Sequence, residues 1–218
     1  MNKYLAGCCL VALLATSCVS KENREEKESV SAQQTASADR EAHITPQYAK
    51  GFQLSYADGY ILMDIQDPQN EESTRFQYAL VERGTKPEGI PADYTVIEIP
   101  VRSAICMTSL QLSNFIKLGA EDKVVGITST RHLFNQTVNK QLKEGKTAKI
   151  GIEGNFDNEV IMSINPDLIL ISPFKRGGYE TMKDVGIPLV PHLGYKETTP
   201  LGQAEWIKFV GLLLGMEK

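Results

Sequence analysis

Apolar and polar positions alternate at Phe52, Leu54 and Tyr56 and again along Tyr60-Ile61-Leu62-Met63-Asp64-Ile65, with Asp58-Gly59 between the two runs. Alternation places every second side chain on one face of a strand. Glycine accepts the positive φ of a tight turn, so the two runs predict a β-hairpin. Residues 76–81 and 94–100 predict a third and a fourth strand. Between them lies a loop over 84–93 that carries Gly84, Pro87, Gly89 and Pro91. Residues 48–100 are therefore expected to form a β-rich N-terminal extension.

From Val101 the pattern changes to unbroken apolar runs alternating with amphipathic stretches. Residues 101–106 predict a strand. Thr108 or Ser109 caps a helix carrying Leu110, Leu112, Phe115, Ile116 and Leu118, which stops at Gly119. Residues 123–128 predict the next strand. Residues 129–154 read as a long irregular stretch with a helical piece near 138–142. Asp157 caps a second helix (Val160, Ile161, Ile164) that ends before Pro166. A strand over 168–171, a helix over 179–185 and a strand over 187–190 follow. Residues 201–216 predict a long helix with Ala204, Ile207, Phe209, Val210, Leu213 and Leu214 largely on one side. Apolar strands alternating with helices predict a parallel sheet covered on both faces. The fold class is α/β, with a Rossmann-like lobe over 101–200 and the start of a further helix over 201–218.

The first residues carry a different signal. Lys3 precedes a stretch over 4–15 that is largely apolar. Such a length suits the core of an export signal and falls short of the ~20 residues that span a bilayer. It ends in Leu14-Ala15-Thr16-Ser17-Cys18, small residues before a cysteine, as in a bacterial lipobox. Leu5-Ala6-Gly7-Cys8 is the closer match by letter but has almost no apolar core before it. Residues 1–17 are thus expected to be a lipoprotein signal peptide, and Cys18 the lipidated residue. Residues 18–47 are polar, with a charged run over 20–28, and are expected to form a disordered tether. The charged run is either a surface-export signal or a solvated spacer. The expected location is the cell envelope, lipid-anchored and facing the periplasm or the cell surface.

Composition narrows the chemistry. The net charge of -4 and the lack of a basic stripe give no reason to expect nucleic acid as a partner. Of the cysteines, Cys8 and Cys9 leave with the signal and Cys18 is lipidated. Cys106 alone remains and ends an apolar run, which predicts an inert core thiol and no intrachain disulfide. His43, His132 and His192 are far apart along the chain, with no histidine-rich loop, so neither a metal site nor a cofactor is expected. The sequence lacks Gly-x-Gly-x-x-Gly, a P-loop, Gly-x-Ser-x-Gly and Cys-x-x-Cys, so no enzyme is expected.

Three segments carry a family resemblance: Leu118-Gly119-Ala120-Glu121-Asp122-Lys123-Val124-Val125-Gly126, then Asn158 through Pro166-Asp167-Leu168-Ile169-Leu170, then Val185-Gly186-Ile187-Pro188-Leu189-Val190. In this order, behind a lipobox, they resemble the N-terminal lobe of ABC-importer substrate-binding lipoproteins of the cobalamin, haem and ferric-siderophore type. Pro200 to Phe209 resembles the start of their connecting helix in a Bacteroides-like variant. The resemblance covers a little over half of the chain. It implies capture of a small-molecule ligand and its delivery to an ABC permease and its ATPase. Members of this family have a second lobe after the helix, so this chain is expected to be a truncated N-terminal part.

In an open parallel sheet, ligands sit beyond the carboxyl ends of the strands. That places Thr108 and Ser109 at a helix N-terminus suited to anionic groups. It also places Arg131, His132, Lys175 and Arg176 to pair with ligand carboxylates or phosphates, and Phe174 and Tyr195 to stack on a flat ligand. By the resemblance, Glu159 is the carboxylate that docks on the permease. A structural or adhesive surface lipoprotein and a zinc or manganese carrier remain the alternatives.

Overall fold

The structure is a computed structural model, described over residues 43–128, 133–152, 155–173, 179–183 and 186–216. The predicted hairpin is present: β1 (Phe52–Ala57) and β2 (Tyr60–Ile65) pair antiparallel around Gly59, whose φ is 82°. Next come β3 (Phe76–Glu82), antiparallel to β2, and β4 (Thr95–Ile99). The four strands form one sheet in the order β1-β2-β3-β4. The last pair is parallel, because the 84–93 loop carries the chain back to the start of β3 before β4 begins. The register aligns Phe52 with Ile65 and Phe76, and Leu54 with Met63, Tyr78 and Thr95, so these residues share one inner face.

The second sheet has five strands: β5 (Ala104–Cys106), β6 (Val124–Ile127), β7 (Ala148–Lys149), β10 (Leu168–Ile171) and β11 (Leu189–Pro191). All its neighbours are parallel, as the apolar runs predict. A two-residue hairpin pair, β8 (Gly151–Ile152) and β9 (Asn155–Phe156), lies between β7 and β10. The helices are α1 (Ser109–Lys117), α2 (Gln136–Lys143), α3 (Asn158–Ile164), α4 (Glu180–Lys183) and α5 (Pro200–Leu213). Strand order is β11-β10-β5-β6-β7. The chain starts in the middle at β5, runs outward to β7, then returns to the other side of β5 for β10 and β11. The reversal between β5 and β10 is the point where an open α/β sheet forms a crevice.

Side-chain alternation splits the core in two. Ile105, Ile169 and Ile171 point to one face and pack with Ile161 of α3 and Met182 of α4. Ala104, Cys106, Leu168, Leu170 and Val190 point to the other. There they join Leu112 and Phe115 of α1, the buried side of α5 and the inner face of the four-stranded sheet. The extension and the parallel lobe therefore share one core, and α5 lies within it. Phe52 meets Trp206 at 5.0 Å and Phe209 at 5.7 Å between ring centroids, both edge-on.

Three elements differ from expectation. The strand expected from Val101 begins at Ala104, because the preceding backbone is used elsewhere: Val101 N–H donates to Leu213 O at 2.8 Å and Arg102 N–H to the Asp167 carboxylate at 2.7 Å. The stretch over 129–154 holds a full helix capped by Asn135 and a sheet strand, β7. In α5 the buried residues include Gly202, Glu205, Trp206, Phe209, Val210 and Leu213, a helical stripe that leaves Ala204 exposed.

Candidate functional site

The carboxyl ends of β5 and β10 are joined by one buried side chain. Thr108 caps α1, and its hydroxyl accepts from Gln111 N–H at 3.4 Å. Gln111 Oε1 in turn accepts from the backbone N–H groups of Met107 (2.7 Å) and Thr108 (3.0 Å). This is a capping box, legible in Thr108-Ser109-Leu110-Gln111 as Thr-x-x-Gln. The Gln111 amide also reaches across the strand reversal, where Nε2 donates to Ser172 Oγ at 3.3 Å. Ser172 N–H donates to the Tyr179 hydroxyl at 3.3 Å, and Thr128 Oγ1 donates to Met107 O at 2.8 Å. The loops that follow β5, β6 and β10 are thus held together at their roots. Gln111 and Ser172 are buried, so this network is a floor beneath the crevice and not part of its open surface.

The predicted ligand contacts fall unevenly on this frame. Thr108 is half-buried and Ser109 exposed at the start of α1. Gln111 takes the backbone N–H groups of Met107 and Thr108, which precede the first residue of α1. Arg131, His132, Phe174, Lys175 and Arg176 lie outside the described residues, as does Cys18. Tyr195 sits in a 3-10 turn (Gly194–Lys196), half-buried and packed against the shared core. Glu159 is exposed in the first turn of α3, one residue after Asn158 and two after the Asp157 cap, whose carboxylate accepts Val160 N–H at 3.0 Å. Beyond the ends of β6 and β7, Phe134 and Ile152 are 86% and 63% exposed, so this rim of the sheet offers apolar surface.

Electrostatics elsewhere in the core are unusual. Burial pushes the His192 imidazole from 6.5 down to about 4. Its Nε2 lies 2.9 Å from the Asn114 amide, and its ring packs on Trp206 at 4.7 Å. Glu205 is also buried. Burial alone would raise its carboxyl, but hydrogen bonds from Lys208 and from the backbone of residues 47–49 outweigh that and bring it to about 2. Burial pushes the Cys106 thiol up, in keeping with an inert core position. Asp167, within Pro166-Asp167-Leu168-Ile169-Leu170, binds Arg83 of β3's C-terminal end at 2.7 Å. Among the described residues, no group of three or more His, Cys, Asp or Glu side chains could hold a metal, and no helix is long and apolar enough to cross a membrane.

No protein-family model matches the chain. Two uncharacterized lipoproteins of Methanocaldococcus jannaschii are related in sequence. One is 25% identical over 246 aligned positions, covering 100% of this chain and 58% of the relative. The other is 24% identical over 175, covering 77% and 43%. The chain thus spans about half the length of the curated relatives it matches. Among solved structures, a periplasmic binding protein from Veillonella parvula aligns with a TM-score of 0.45 and 13% identity, over 72% of this chain and 47% of that one. The periplasmic haem-binding protein HutB of Vibrio cholerae aligns with a TM-score of 0.42 and 17% identity (53% and 42%). Staphylococcus aureus SirA, solved with staphyloferrin B, aligns with 0.41 and 22% (56% and 39%). The fold is α/β, a five-stranded parallel sheet with an additional four-stranded sheet that is antiparallel except for its last pair.

Proposed function

We propose that this chain is the N-terminal lobe of a substrate-binding lipoprotein of an ABC importer, which takes a ligand of the iron-siderophore, haem or cobalamin class and hands it to a permease. The observation that carries this reading is the strand reversal between β5 and β10, whose flanking loops are tied at their roots by Gln111. A crevice of this kind is where open parallel sheets bind ligands. Two sequence relatives described as lipoproteins and the lipobox at Cys18 support an anchored protein of the envelope. On this reading Thr108, Ser109, Arg131, His132, Phe174, Lys175, Arg176 and Tyr195 surround the ligand, and Glu159 docks on the permease. The protein is a carrier and not an enzyme.

The test is calorimetric titration of the protein with hemin, a ferric catecholate, a ferric hydroxamate and cyanocobalamin. Saturable one-to-one binding of one of them supports the reading. If a form extended to the length of its relatives binds none of the four, the importer reading fails and a surface lipoprotein takes its place.

A further inference from the structure

The inner face of the four-stranded sheet is broader than the helix that covers it. Phe52, Met63 and Leu80 pack in the core with α5, while Phe76, Tyr78 and Thr95 of the same face reach the outer strand of the parallel sheet, β11. The Tyr78 hydroxyl donates to Leu189 O at 2.5 Å and so occupies a carbonyl of that edge. The two surfaces do not close on each other around this bond. They leave a cavity of about 540 Å³, floored by Ile171 and Ile187 and bounded by α4. Small-molecule sites span roughly 300–1,000 Å³ and are mostly apolar with a few polar groups.

The chemistry of the walls is one-sided. Tyr78 and Tyr179 both have their hydroxyls engaged, with Leu189 O and with Ser172 N–H, so each offers the cavity mainly carbon. Among the described residues, no acidic side chain lines the space. The charged group among the described lining residues is Lys183, exposed at the end of α4, and among the described residues no carboxylate pairs with it. A chamber walled by aromatic rings, with the Lys183 cation at its rim, suits a flat apolar molecule that carries one negative charge.

We propose that the junction between the four-stranded sheet and β11 is a second binding site, for a small aromatic anion held between Phe76, Tyr78 and Tyr179 with its charge on Lys183. It lies at the outer edge of the parallel sheet, whereas the crevice lies between β5 and β10, and it does not depend on the importer reading.

Two dyes test it: 8-anilino-1-naphthalenesulfonate, an aromatic anion, and N-phenyl-1-naphthylamine, its neutral counterpart. Each is titrated into the full chain by fluorescence, with thermal melts to verify that every variant is folded. The parent should bind the anion at one saturable site. Lys183→Gln, an exposed change, should weaken the anion about fivefold and leave the neutral dye within about twofold, as for loss of one partly screened charge pair. Thr95→Phe and, separately, Ile187→Phe should weaken both dyes about tenfold or more by filling the chamber. Non-saturable binding to the parent, or no binding, overturns the proposal. So does a folded filled variant that binds both dyes as the parent does, or an anion affinity unmoved by Lys183→Gln.

Discussion

Glu205 Oε2 accepts the backbone N–H of Ala49 at 2.8 Å and so ties α5 to a point 156 residues earlier in the chain. The same carboxylate receives Gln47 N–H at 2.9 Å and Tyr48 N–H at 2.6 Å, and Lys208 Nζ at 2.7 Å. Glu197, just before α5, does the same for the next two residues and for the Trp206 indole, at 2.9–3.2 Å. Residues 47–51 therefore lead into β1 along a track set by two glutamates. Tight packing completes it: a Cβ on Gly51 would stand 2.8 Å from Trp206.

This clamp makes stability depend on pH at the acid end. The Glu205 carboxyl is held at about 2 against an ordinary 4.5. A depressed carboxyl stabilises the fold fully above its unfolded value and loses that contribution as pH falls through the folded value. Urea unfolding should show a loss of about 3 kcal/mol between pH 4.5 and pH 2 from this group. Glu205→Gln should remove that dependence and lower stability at pH 7 by about 2–3 kcal/mol. A variant as stable as the parent at pH 7 would mean that the clamp does not hold the segment.

His192 acts in a separate window. Burial lowers its imidazole to about 4 from 6.5, so the unfolded chain binds its proton first. Stability should be highest above pH 6.5 and fall as pH drops toward 4, by about 3 kcal/mol. In His192→Leu most of the slope over that window should vanish, leaving near pH 4 the part that belongs to Glu205. A constant offset should remain, because the Asn114 amide at 2.9 Å loses its partner. Unfolding curves at pH 7, 5.5 and 4 decide it. An unchanged slope in the variant would place the acid sensitivity elsewhere.

The sequence makes some of this legible and hides the rest. The Asp58-Gly59 turn, the alternation around it and the apolar runs of β5, β6, β10 and β11 are local signals, and each run yields a strand, though β5 begins only at Ala104 and β11 only at Leu189. The parallel pairing of β4 with β3 is not local, since the partner of a strand is chosen by packing after a long loop. The buried side of α5 is masked for another reason. Glu205 and Gly202 belong to it, and a search for apolar letters shifts the stripe toward Ala204. Thr-x-x-Gln at 108–111 announces the cap, but nothing in those four letters tells that the same amide crosses to Ser172.

Gln111 carries the next prediction. Gln111→Leu keeps the volume and removes the acceptor for two backbone N–H groups and the donor to Ser172. A buried polar group left without a partner costs ~1–3 kcal/mol, so the variant should lose about 3–4 kcal/mol by urea unfolding. Gln111→Glu restores the acceptor but removes the Nε2 donor and adds a buried charge. It should recover less than half of the loss. If both variants match the parent, the three loops are held by something other than this side chain.

On the lipoprotein reading proposed above, anchoring rests on one atom, the sulfur of Cys18. A diacylglycerol there would hold the protein to a membrane that none of its described helices can span. Expressed in a bacterial host, the parent should fractionate with membranes and incorporate labelled palmitate. Cys18→Ala should move the protein to the soluble fraction and abolish the label. Cys8→Ala should change neither, because the lipobox ending at Cys8 has too short an apolar core before it to serve as an export signal. Label that persists in Cys18→Ala and disappears in Cys8→Ala would transfer the anchor to Cys8 and put residues 9–17 into the mature chain.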